Sequence, residues 1–126
     1  MKTNDLSGPL LSYWFAVATG AKDLVKMEKG ECLFKYTLQD FNSTEIRFMK
    51  YEPYNDAQSM FGTMSSNDIY AIPLCKYASK GFEKGPKGPR AYDATSGRIR
   101  YQGPTLGEAV CKVMIGNVFG DEVPDL

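Results

Sequence analysis

Residues 103–120 read GPTLGEAVCKVMIGNVFG, and this stretch carries the start, body and stop of a helix. Thr105 and Glu108 have the T-x-x-E spacing of a capping box, in which hydroxyl and carboxylate satisfy each other's free backbone N–H groups. Leu106, Ala109, Val110, Val113 and Met114 make one apolar stripe, and Phe119-Gly120 ends it. The acidic residues Asp121, Glu122 and Asp125 that follow read as a frayed terminus rather than a docking tail.

A second helix stands near the other end. Ser7-Gly8-Pro9 supplies an N-cap and a first-turn proline, whose missing N–H costs nothing there. Leu10, Trp14 and Val17 then recur at helical spacing beside Leu11, Phe15 and Ala18, and Gly20 closes a helix over about residues 9–19. Both stripes are expected to be buried.

Between the helices the period changes to two. Cys32, Phe34, Tyr36 and Leu38 alternate with Glu31, Leu33, Lys35 and Thr37, the pattern of a half-buried strand. The turn formers of residues 40–43 lead to a hairpin partner in which Ile46 and Phe48 alternate with Arg47 and Met49. Residues 53–68 show no sustained periodicity and read as an ordered loop. Ile69–Leu74 reads as a short strand that Pro73 confines to a sheet edge.

Residues 76–98 read as a long loop or hairpin, with a flexible Gly/Lys-rich part at about 79–97. From Lys76 to Arg100 there are seven basic residues (Lys76, Lys80, Lys84, Lys87, Arg90, Arg98 and Arg100) against Glu83 and Asp93. Residues 98–101 form one last strand. Two helices flanking several strands imply an α+β fold, a small, mostly antiparallel sheet covered by N-terminal and C-terminal helices. At 126 residues one domain over 1–126 is expected, since two cores would each be marginal at half that length.

Composition excludes several kinds of chemistry. The chain has no histidine, which removes Ser-His-Asp and Cys-His catalysis and His-ligated zinc. Its three cysteines, Cys32, Cys75 and Cys111, are far apart and form no metal or redox pair, so they read as reduced, packed thiols. The carboxylates Asp40, Glu45, Glu52, Asp56 and Asp68 are scattered without D-x-D or E-x-x-H spacing, so no metal site and no cofactor are expected. Fifteen basic and fifteen acidic side chains balance to zero, against the basic surplus that wrapping duplex nucleic acid requires. No segment reaches the ~18 apolar residues of a membrane span, and no signal-peptide pattern opens the chain.

Three blocks carry a family resemblance: MKTNDLSGPLLSYWFAVATG at 1–20, YEPYNDAQ at 51–58 and GPTLGEAVCKVMIGNVFGDEVPDL at 103–126. Together they resemble the NinX-like family of lambdoid phage accessory proteins. Tyr51, Pro53, Asp56, Ala57 and Gln58 match its central motif, and Gly103, Thr105, Ala109, Val113, Gly120, Asp121, Glu122 and Val123 match its ending. The family's Trp between Asp56 and Ala57 is absent here. Gln58-Ser59-Met60-Phe61-Gly62 replaces its Q-G-G-P-I-I stretch, and the basic Gly-rich loop is foreign to the pattern. The resemblance implies a phage origin and action in the host bacterial cytoplasm, and it implies no particular activity.

Two groups of residues are candidates for binding. Tyr51, Tyr54, Asn55, Asp56 and Gln58 gather aromatic faces, a carboxylate and amides, which suit a base and a ribose diol. The alternative is an Asx-turn loop with tyrosines on the core rim. Lys84, Lys87, Arg90, Arg98 and Arg100 lead towards Thr105 at the start of the last helix, where backbone N–H groups suit a phosphate. The alternative there is a solvated loop and an ordinary capping box. The function expected is non-catalytic binding of a small phosphorylated nucleotide, as counter-defence that sequesters an immune signal without cleaving it. A homo-oligomer with its pocket near the subunit interface is expected. The competing functions are a protein–protein inhibitor of a host enzyme and, behind it, a metal-dependent phosphodiesterase.

Overall fold

Helix α1 (Gly8–Ala18) starts and stops where its punctuation implies. Ser7 is extended at the N-cap, Pro9 lies in the first turn, and Gly20 follows the last turn at φ +87°. The computed structural model describes residues 1–74 and 91–125. After α1 come β1 (Val25–Glu28), β2 (Glu31–Asp40), β3 (Ser43–Lys50), α2 (Ala57–Asn67), β4 (Tyr70–Leu74), β5 (Ala91–Ser96), β6 (Ile99–Gly103) and α3 (Leu106–Phe119). The class is α+β, with helices towards both ends of the chain. The strands form two antiparallel three-stranded sheets, β1-β2-β3 and β4-β5-β6, in place of the one sheet expected.

The first sheet contains a strand that alternation alone does not reveal. β1 turns into β2 through Lys29 and Gly30, both at positive φ, as a two-residue hairpin turn requires. β2 is buried at Cys32 but exposed from Thr37 onward, and all eight residues of β3 are exposed. The half-buried reading of this hairpin therefore holds only at its base; the rest projects as an arm.

The 53–68 segment is a correction. It holds a 3-10 turn (Pro53–Asn55) and then the helix α2, which Asp56 caps and Asp68 ends in a left-handed conformation. Ala57, Met60, Phe61 and Met64 do stand at helical spacing, but the turn formers around them (Pro53, Asn55, Asp56, Gly62) mask the pattern. The stripe is also mostly not interior: Met60 is buried, Met64 half-buried and Phe61 exposed. The 76–98 loop is corrected in part: residues 91–96 are β5, hydrogen-bonded between β4 and β6. Among the described residues β4 is an edge strand, the position its proline implies. Cys75 and the remainder of that loop, with Lys84, Lys87 and Arg90, lie outside the described residues.

Helix α3 is the centre of the core rather than an amphipathic cover. Ala109 to Gly116 are buried without interruption, because α1, α2 and the face of β5-β6 surround the helix. Two glycines allow that approach. A Cβ on Gly107 would collide with the Tyr54 carbonyl, and one on Gly116 with the Tyr101 ring. α1 packs on α3 and on the base of the first sheet, so the two terminal helices do not share one sheet face. Trp14, Val110 and Val113 are buried as expected, whereas Leu10, Val17 and Leu106 are half-buried at the core margin.

The stretch after α3 is pinned instead of frayed. Thr3 N–H donates to Asp121 O at 2.8 Å, Thr3 Oγ1 to Gly120 O at 2.7 Å, and Val123 N–H to Met1 O at 2.9 Å. Val123 is buried. Lys112, also buried, donates its ammonium to Asn4 O at 2.8 Å and Gln102 O at 2.9 Å, which ties the N-terminal turn to β6 through α3. Burial lowers its pKa from the ordinary lysine value.

Candidate functional site

Where β3 leaves its sheet, the chain turns through Pro53 into α2 and leaves a cleft of about 370 Å³ against the end of α1. Phe15 and Tyr51 provide aromatic walls, Glu52 and Asp56 carboxylates, and Thr19, Ser59 and Thr63 hydroxyls. Tyr51 is held by its N–H on Cys32 O at 2.9 Å and by ring contact with Phe34, centroids 5.5 Å apart. Burial pushes its hydroxyl pKa up to about 12, so it is a neutral phenol across the physiological range.

The two carboxylates are held differently. Glu52 takes Lys50 Nζ at 3.1 Å on one oxygen and Asn55 Nδ2 at 2.9 Å on the other, and the Lys50 bond foremost holds its pKa below the usual carboxylate value. Asp56 Oδ1 accepts from the N–H groups of Gln58 at 3.1 Å and Ser59 at 3.3 Å, and Oδ2 accepts from Ser59 Oγ at 3.1 Å. Asp56 is therefore a helix cap that also faces the cleft.

Of the central candidates, Tyr51 and Asp56 meet at the cleft. Tyr54 turns away, half-buried against the core beneath α3. Asn55 stands behind Glu52 as its hydrogen-bond donor, and Gln58 lies exposed on the first turn of α2. Sequence reasoning missed Phe15, Thr19, Glu52, Ser59 and Thr63. The capping sequence Asp56-x-x-Ser59 was the available signal, since it starts α2 and so fixes where Ser59 and Thr63 point.

The basic candidates do not converge. Arg98 and Arg100 line a second cleft, about 400 Å³, with Tyr101, Gly116 and Asp121. Thr105 lies past the other end of β6, a strand roughly 13 Å long at ~3.3 Å per residue. The Arg100 guanidinium pairs with the buried carboxylate of Asp93. At the start of α3 the capping box is complete: Glu108 N–H donates to Thr105 Oγ1 at 3.2 Å, and the Glu108 carboxylate accepts from Thr105 N at 3.2 Å and Oγ1 at 3.1 Å. The box thus takes two of the N–H groups, those of Thr105 and Glu108, that a phosphate at this helix start would use.

The described thiols are core residues. Burial pushes the Cys32 pKa up to about 11 and raises that of Cys111, which lies 3.8 Å from Met60 Sδ. Among the described residues no three His, Cys, Asp or Glu side chains converge on a metal position. No described helix is long and apolar enough to cross a membrane. No family model matches the chain, and no curated protein matches it.

Proposed function

We propose that this chain is a phage accessory protein that binds a small nucleotide-derived molecule by its nucleoside end in the Tyr51–Asp56 cleft. The observation that carries the reading is the meeting of aromatic walls, two carboxylates and three hydroxyls in one concavity. Aromatic faces stack on a base, and a carboxylate accepts both protons of a ribose diol. The phosphates of such a ligand lie outside the acidic cleft, on the side of Lys50, the cation bound to Glu52. Binding without cleavage suits a counter-defence role in the host cytoplasm, where holding an immune signal is enough to silence it.

Calorimetry against adenosine, ADP-ribose and a set of cyclic dinucleotides tests the reading. Micromolar binding of at least one is expected, with the ligand recovered intact from the heated complex. Tyr51→Ala removes a stacking contact of about 1–3 kcal/mol and should weaken binding roughly five- to hundredfold, while Tyr51→Phe retains it. No heat from any of the ligands contradicts the proposal.

A second reading, inhibition of a host enzyme through a protein interface, draws on exposed Phe61 and Tyr70, which flank a shallow depression with Met64 and Ile69. Capture of a specific host enzyme that Phe61→Ser abolishes would favour it.

A further inference from the structure

β3 is an end strand of its sheet, all eight of its residues are exposed, and among the described residues no strand lies beyond it. Its hydrogen-bonding direction follows from one bond. Tyr51 N–H donates to Cys32 O, the position next to the Leu33–Lys50 pair. Antiparallel pairs alternate between hydrogen-bonded and non-hydrogen-bonded, so Met49, Arg47, Glu45 and Ser43 aim their backbone groups at β2. Thr44, Ile46, Phe48 and Lys50 aim theirs outward. The outward edge carries Ile46 at 53% exposure and Phe48 at 43% with Lys50 only at its end, and at eight residues it is longer than the short edges that avoid pairing.

We propose that this edge pairs with the same edge of a second copy of this chain, joining two three-stranded sheets into one of six strands. A two-fold axis perpendicular to the sheet sets each residue opposite one of the same face, so the axis must pass through a residue paired with itself. An axis at Glu45 or Arg47 opposes like charges. An axis at Phe48 sets Arg47 against Met49 and Ile46 against Lys50. An axis at Ile46 sets Glu45 against Arg47 of the partner subunit, twice by symmetry, and Thr44 against Phe48 of the partner subunit. In that register Thr44, Ile46 and Phe48 are the outward-bonding residues, so the ladder closes without a bulge. Ile46 and Phe48 share a face, and with their copies they form an apolar strip across the seam. Glu45 and Arg47 pair with each other within the chain at 3.1 Å, and in this register each also meets its opposite charge across the seam. Charge complementarity therefore favours a second copy in this register over the others compared.

The test is light scattering on wild-type protein, Glu45→Arg, Arg47→Glu and an equimolar mixture of the two variants. Both substituted positions are exposed, and thermal melts confirm that the variants fold. Wild type should give twice the 14.0 kDa chain mass. Each variant alone faces like charges across the seam at two positions, which weakens the dimer roughly tenfold or more. In the mixture, the Glu45→Arg chain brings two arginines to the seam and the Arg47→Glu chain brings two glutamates. Opposite charges then face each other at both positions, and the mixture should recover the dimer. A wild-type mass of 14.0 kDa at high micromolar concentration overturns the proposal and leaves the edge to another kind of partner. Dimers unaffected by either substitution, or a mixture that stays monomeric, place the contact elsewhere and overturn it equally.

Discussion

Asp56 and Ser59 are joined twice: Oδ1 accepts the Ser59 N–H at 3.3 Å, and Oδ2 accepts the Ser59 hydroxyl at 3.1 Å. The same carboxylate that faces the cleft thus starts α2, which couples the proposed site to local stability. Replacement by alanine removes the cap and should cost about 0.5–2 kcal/mol in thermal or denaturant unfolding. Asparagine caps nearly as well but carries no charge. Asp56→Asn should therefore keep the melting temperature and still weaken nucleoside binding in calorimetry. An unchanged affinity in that variant would assign Asp56 to the helix alone.

Two glycines in helices should respond to alanine with opposite signs. At Gly107 the added methyl meets the Tyr54 carbonyl, a backbone atom that cannot rotate away, so Gly107→Ala should destabilise by about 1–3 kcal/mol or more. At exposed Gly62, inside α2, nothing lies within 4 Å of the new methyl, and Gly62→Ala should stabilise by about 0.5–1 kcal/mol. Urea unfolding of the two variants measures both, and equal signs would show that α3 is not seated against the Tyr54 turn.

The Tyr101 hydroxyl donates to Asp121 Oδ1 at 2.7 Å and sits in the wall of the second cleft. Burial first, and then the Asp121 carboxylate, push its pKa from 10.0 up to about 12. A group protonated more tightly in the folded state contributes stability that is complete below its unfolded pKa and lost as pH rises through the folded one. Unfolding free energy should fall between pH 10.0 and about 12, and Tyr101→Phe should show a smaller fall across the same window. Parallel profiles for the two proteins would remove Tyr101 from this linkage.

The capping box at Thr105 and Glu108 and the Pro9–Gly20 punctuation of α1 were legible because they are local: each signal lies within about a turn of the helix end it sets. α2 was harder to read: Ala57, Met60, Phe61 and Met64 stand at helical spacing, but Pro53, Asn55, Asp56, Gly62 and the serines around them signal a loop, and only Met60 is fully buried. Alternation in β2 was genuine but did not report burial. Tyr36 and Leu38 continue the Cys32 pattern beyond the point where α1 covers the sheet. Tyr51 and Asp56 were found by residue type, close together on one loop. Phe15 and Thr19 were not, because only the packing of α1 brings them to the same cleft. The supposed convergence of Arg98, Arg100 and Thr105 failed for a simple geometric reason: an extended strand holds its two ends apart.

The most direct test of the proposed site is an amide chemical-shift titration of the wild-type protein with each of adenosine, ADP-ribose and the cyclic dinucleotides, read for the one that binds most tightly. The account predicts perturbations grouped at Phe15–Thr19 and Tyr51–Thr63, with Arg98–Tyr101 and Thr105–Glu108 unmoved. Perturbations centred on Arg98 and Arg100 instead, or none anywhere in the chain, would contradict it.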